Sequence, residues 1–197
     1  MLAPALTAGA VRSRPLAPWV AGLLAGLAAV FVVLVIGVVG ALFGLRAPEL
    51  DAYRPSAVAR AEIPPRYLRL YQRAGAEYGT DPWILAAIGS IESNHGRSTA
   101  AGVRSGVNFA GCCAGPMQFN IRNGPPSTWD GFGVDGNHDG RRSPYDPADA
   151  IPAAASYLQA NGAPGDYQRA LLAYNHAQWY VDQVLAKAAE YRAAPAG

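Results

Sequence analysis

Glu92 stands four positions after Ile88 and seven after Leu85. In a helix, that spacing places its carboxyl on the face that carries the apolar side chains. A carboxyl there loses solvation, and its pKa rises. An acid that keeps its proton near neutral pH is what cleavage of a glycosidic bond requires, because the leaving oxygen must be protonated as the bond breaks. The alternative for this position is a helix-end glutamate that reaches water past the last turn. A second set of oxygen-bearing residues follows in Asp135-Gly136-Asn137-His138-Asp139-Gly140. With Asp135 as the first position, the pattern fits an EF-hand calcium loop. Asn137 is third and Asp139 fifth. Gly140 supplies the sharp turn, Arg141 a backbone carbonyl, and Ser143 is ninth. Asp146 stands twelfth, where a bidentate glutamate is usual, so a weaker Ca2+ site is expected. The alternative is a solvated turn in which Asp146 only caps the next helix.

The residues around Glu92 read Ile91-Glu92-Ser93-Asn94-His95-Gly96-Arg97-Ser98. Downstream come Ala114-Gly115-Pro116-Met117-Gln118-Phe119, then Ser127-Thr128-Trp129, then Ala173-Tyr174-Asn175. In this order the segments resemble the lytic transglycosylases, lysozyme-like enzymes that cut the peptidoglycan glycan strand. The acidic loop is similar to that of the type B membrane-bound subgroup. The resemblance spans about residues 62–192. It implies a mainly α, lysozyme-like fold of the goose-type and soluble lytic transglycosylase kind. It also implies cleavage of the MurNAc-GlcNAc β-1,4 bond with Glu92 as the single acid/base. Gln118 would line the groove and contact sugar, and Tyr174 and Asn175 would face Glu92 from another helix. Ser93 and Met117 complete the expected substrate-binding set. One carboxylate suffices in this family because the sugar's own 6-hydroxyl attacks, leaving a 1,6-anhydro end. A second carboxylate, with Asp130 the nearest loop candidate, would make the enzyme a hydrolysing muramidase. A glycan-binding module without turnover and a calcium-dependent adhesion module are the remaining alternatives.

The chain departs from the family pattern at three places. Asn120–Pro126 lengthens the segment after Phe119, His176-Ala177 follows Tyr174-Asn175, and the adjacent Cys112 and Cys113 precede the Met117-Gln118-Phe119 block. The cysteine pair lacks the spacing of a tetrahedral zinc site. It reads as two buried small residues, a local disulfide, or an intermolecular bridge of an oxidising compartment.

The elements that must carry these residues are helical. Pro64-Pro65 opens a periodic stretch through Tyr67, Leu68, Tyr71, Ala74 and Tyr78 that ends at Gly79. Asp81-Pro82 is an N-cap followed by a first-turn proline, and predicts a helix to about Asn94. Residues 97–146 are rich in Gly, Asn, Asp and Pro, and read as a long structured loop region with room for a small hairpin. Helical patterns resume at about 147–160, 166–174 and 177–192.

No charged residue lies between Arg14 and Arg46. Residues 19–45 would form a helix of roughly 40 Å, enough to cross about 30 Å of hydrocarbon with some tilt. Arg12 and Arg14 favour a cytoplasmic segment 1–18, an anchor 19–45, a linker 46–62 and an extracytoplasmic catalytic domain 63–197. The rival is a cleaved signal peptide, whose apolar core is usually about 7–15 residues. Beyond residue 45 the chain holds 14 basic and 14 acidic residues. That balance disfavours nucleic acid as a partner. The implied partners are glycan strands and the membrane, and the only implied cofactor is structural Ca2+.

Overall fold

The computed structural model describes residues 53–122 and 127–192. The predicted anchor lies outside them, and among the described residues no helix is long and apolar enough to cross a membrane. Capping chemistry sets the helix starts. In α1 (Ala57–Glu62) the Ser56 hydroxyl accepts from Ala59 N. Helix α2 (Pro65–Tyr78) begins with its proline and ends at left-handed Gly79, whose N–H bonds the Gly75 carbonyl. For α3 (Pro82–Ser93), Asp81 accepts from Trp83 N and Pro82 occupies the first turn, as the sequence predicts. It ends at left-handed Asn94.

The loop region that follows is more structured than its composition suggests. A two-residue hairpin pairs β1 (Cys113–Ala114) with β2 (Phe119–Asn120), antiparallel, with Cys113 opposite Asn120 and Ala114 opposite Phe119. Short α4 (Thr128–Phe132) starts in a capping box made by Ser127 and Asp130. The Ser-x-x-Asp spacing is a helix-start signal of the capping-box kind, overlooked when the region is read as loop. Then come α5 (Pro147–Ala160), α6 (Tyr167–Tyr174) and α7 (Gln178–Tyr191), the first two capped by Asp146 and Asp166.

Helix α3 is the axis. Trp83 through Gly89 are buried on every face, as a helix apolar all round must be. It packs against α2 and α7, and α2 packs in turn on α5. Alanines 153–155 of α5 are fully buried, which lets neighbouring helices approach closely. Gly89 serves the same end. A Cβ there would stand 2.0 Å from the Tyr71 hydroxyl.

One boundary is corrected. Residues 57–62, read as linker, form α1 and belong to the folded domain. Ala59 is buried, α1 packs on α7, and the Ser56 N–H bonds the Tyr191 carbonyl. Glu62 also enters a polar chain that pins the end of α3. The Tyr191 hydroxyl donates to Glu62 Oε2 at 2.9 Å, and Lys187 pairs with the same carboxylate. Tyr191 must then accept from His95 Nε2 (3.2 Å), which leaves Nδ1 to accept from the Tyr71 hydroxyl at 3.0 Å. His95 is buried, and burial holds its pKa down at about 4.

Candidate active site

Glu92 lies in the last turn of α3, partly buried. Burial raises its pKa to about 7, against the opposing effect of one hydrogen bond. That bond comes from Tyr180 on α7, whose hydroxyl donates to Glu92 Oε1 at 2.7 Å. Oε2 makes no hydrogen bond among the described residues. Tyr180 is itself buried, and its ring lies parallel to that of Tyr174, centroids 6.4 Å apart. Tyr174 in turn lines a groove of about 240 Å³ together with Cys113, Gln118, Phe119, Asn120 and His176.

The motif segments meet through hydrogen bonds to successive carbonyls. Ser93 donates to the Pro116 carbonyl at 2.7 Å and accepts from Gly96 N at 2.8 Å. Tyr174 donates to the Met117 carbonyl at 2.7 Å. The 115–118 turn is therefore braced from the end of α3 and from the end of α6. This corrects two expected substrate contacts. Ser93 is 2% exposed and Met117 fully buried, so their side chains brace the groove wall from behind. Tyr174 gives its hydroxyl to the turn and not to Glu92, although burial raises its pKa and the Glu92 carboxyl is near enough to raise it further. Asn175 caps α6 through its backbone N–H to Leu171 O, and its side-chain amide makes no hydrogen bond among the described residues.

Gln118 sits on the groove wall with a left-handed backbone, φ 50°. Its Nε2 donates to the Gly115 carbonyl at 2.8 Å, and its Oε1 accepts from Asn108 Nδ2 at 3.1 Å. Cys112 and Cys113 are joined in a disulfide. Asp130 is engaged in its capping box, its Oδ2 accepting from both the Ser127 N–H and hydroxyl, which hold its carboxyl below the usual range.

The acidic loop folds on itself. Asp135 accepts from the backbone N–H groups of Asp139 and Gly140, and Gly140 takes the expected left-handed turn. Asp139 Oδ2 and Asp146 Oδ2 converge on Asn137 Nδ2 at 3.2 and 3.0 Å. Arg141 N bonds Asp139. Asp146 Oδ1 caps α5 and pairs with Arg66. No cluster of three or more His, Cys, Asp or Glu side chains among the described residues is arranged to hold a metal. Buried Asp149 closes the loop by accepting from Gly136 N and Ser143 N. Sequence reasoning missed Asp149, Tyr180, His95 and Asn108. Tyr180 lies in the buried period of α7 with Val181, Val184, Ala188 and Tyr191, where it reads as ordinary core.

A partly buried acid stacked behind an aromatic-lined groove, on a mainly helical scaffold, fits a lysozyme-like enzyme that acts on glycan strands. The profile of the transglycosylase SLT domain matches residues 69–195. The chain belongs to that family, as a lytic transglycosylase acting on peptidoglycan. Two solved structures share the fold, those of Escherichia coli lytic transglycosylase Slt35 in complex with bulgecin A and with calcium. Each aligns with a TM-score of 0.50, over 67% of this chain and 76% of that one, at 17% and 18% identity respectively. No relative is found among the curated proteins.

Proposed function

We propose that Glu92 alone performs the acid and base steps, cutting the MurNAc-GlcNAc β-1,4 bond and leaving a 1,6-anhydroMurNAc end. The observation that supports this is the placement of the carboxylates: Tyr180 is the one hydrogen-bond partner of Glu92 among the described residues, and Asp130, the nearest loop candidate for a second carboxylate, is tied by Oδ2 into its own capping box. Glu92 first gives its proton to the leaving oxygen. The resulting carboxylate then takes the proton of the sugar's 6-hydroxyl as that oxygen attacks the anomeric carbon. Both protons are accounted for, and no water is consumed. Gln118 and Asn175 offer amide groups to the sugar.

The test is mass spectrometry of peptidoglycan digested by the full chain and by Glu92→Gln. Muropeptides lighter by one water than hydrolysis products are expected, with turnover lost by about 10²-fold or more in the variant. Hydrated ends would make the enzyme a muramidase. Normal turnover by the variant would remove Glu92 from the reaction.

The 19–45 anchor, an extracytoplasmic domain and type B membership belong to the same proposal. They are supported by the uncharged run and the acidic loop. In that loop Asp135, Asn137, Asp139 and Asp146, with the Arg141 carbonyl, would hold Ca2+. The donors are all hard oxygens, and the Asp139 and Asp146 carboxylates already meet at the Asn137 side-chain amide, whose Nδ2 donates to both. Bound Ca2+ would supply charge neutralisation and a staple for the loop, with no part in the reaction. At about 100 times its Kd it should stabilise the protein by ~2.7 kcal/mol, a rise in Tm of about 5–10 °C. Asp135→Ala should abolish that rise. An unchanged Tm in saturating Ca2+ would exclude the site.

A further inference from the structure

The disulfide pair is a sequence feature that the reaction does not use, and its Cys113 lines the groove. Asn108 Oδ1 accepts from both Cys112 N and Cys113 N, at 3.4 Å each. Two successive N–H groups aimed at one oxygen form a small anion-like nest, which requires a bent backbone. A covalent ring closed between adjacent side chains limits the backbone of both residues to few conformations. Because backbone N–H groups only donate, they fix which end of the Asn108 amide faces them. The other end, Nδ2, must then point at Gln118 and donate to its Oε1 (3.1 Å). That fixes Gln118 in turn, with Nε2 toward the Gly115 carbonyl at 2.8 Å. The hairpin adds a second tie, since Asn108 N bonds the Cys113 carbonyl and Ile121 N the Cys112 carbonyl. Polarity therefore runs in one direction, from the disulfide through Asn108 to the groove wall.

We infer that the Cys112–Cys113 disulfide is a positioning device for Gln118, acting through the Asn108 amide, and that it sets the affinity of the groove for glycan. The inference rests on the proposed sugar contact of Gln118. Reduction by a dithiol breaks the S–S bond. Two electrons and two protons pass from the dithiol to the two sulfurs, and the dithiol leaves as its own disulfide. The bent backbone is then released, Asn108 loses its two fixed donors, and the Gln118 amide is free to turn over. Both cysteines are partly exposed, so a small dithiol can reach them.

The test uses the full chain in mild detergent, and reads the Kd for an N-acetylglucosamine oligomer beside kcat and KM on glycan strands. Reduction by dithiothreitol, checked by alkylation and mass, should raise Kd and KM about five- to tenfold, the loss of one neutral hydrogen bond, with kcat little changed. Cys112→Ser with Cys113→Ser should do the same. Asn108→Asp keeps the acceptor for the two N–H groups and loses the donor to Gln118. It should match the reduced protein in Kd while retaining the wild-type Tm. In Asn108→Ala, reduction should add nothing further. An unchanged Kd in fully reduced protein overturns the inference, as does an undiminished effect of reduction in Asn108→Ala. Binding and turnover separate the two readings. A protein that binds the oligomer in a redox-dependent way and never yields anhydro ends would fail as the proposed enzyme and keep this device.

Discussion

Tyr180 and Glu92 show what one hydrogen bond does to a partly buried acid. Burial drives the carboxyl toward its neutral form, and the Tyr180 hydroxyl pulls it back by stabilising the anion. The result is a pKa of about 7, suited to the role proposed for Glu92, which gives a proton and then takes one. Tyr180→Phe removes the bond and leaves the burial. The alkaline limb of kcat/KM should therefore move to higher pH, while kcat at the optimum falls about tenfold from lost orientation of the carboxyl. A limb that stays in place or moves down would show that Tyr180 does not tune Glu92. Glu92 was legible as a candidate because helical spacing put it on an apolar face and the motif segments around it resemble those of the family. Tyr180 was not, because its partner lies 88 residues away and its own neighbours read as core. Ser93 and Met117 fail differently. A motif tells which residues a site needs, and it does not tell whether they touch the ligand or hold the wall behind it.

Among the elements, helices were the legible part because their ends are written in local chemistry. Asp81-Pro82, Gly79 and Asn94 each satisfy or terminate a backbone ladder within a few residues. The 115–118 turn carries no such code. Its position comes from carbonyls accepting distant side chains and from one close approach. Gly115 has φ 82°, and a Cβ on it would stand 1.6 Å from the Pro144 carbonyl oxygen. That contact joins the turn to the end of the acidic loop through backbone alone, so neither side can swing away as a side chain would. Gly115→Ala combines a left-handed alanine with a backbone collision. It should cost about 2–4 kcal/mol and lower Tm by about 5–15 °C. Because the turn bears Gln118, glycan affinity should fall as well. A variant with wild-type Tm and affinity would mean that the two loops do not meet there.

At the scale of the molecule, two buried groups shift the stability in opposite senses. Glu92 has its pKa raised from 4.5 to about 7, so the folded state holds a proton that the unfolded chain has lost. Its contribution is complete below pH 4.5 and is lost as pH rises through 7. His95 has its pKa lowered from 6.5 to about 4, so the unfolded chain binds a proton that the folded state refuses. Its contribution is complete above pH 6.5 and is lost as pH falls through 4. Each is worth about 3 kcal/mol across its range. Between about pH 4.5 and 6.5 the slopes from Glu92 and His95 oppose one another and nearly cancel. Glu62 and Asp130 have lowered pKa values, so their losses come at more acid pH, while buried Asp149, whose pKa is raised, adds the same slope to the wild type and to a Glu92 variant. Glu92→Gln removes one slope and exposes the other. Its Tm should climb from pH 4.5 to 6.5, with a gain in stability of about 2–3 kcal/mol, and at pH 8 it should exceed the wild type by a similar amount. Calorimetry of both proteins across that range decides the matter. A flat profile in the variant would mean that His95 is not held neutral by the fold. Equal stability at pH 8 would mean that the Glu92 carboxylate is not costly to bury, and that the acid proposed for the reaction lacks the environment that makes it one.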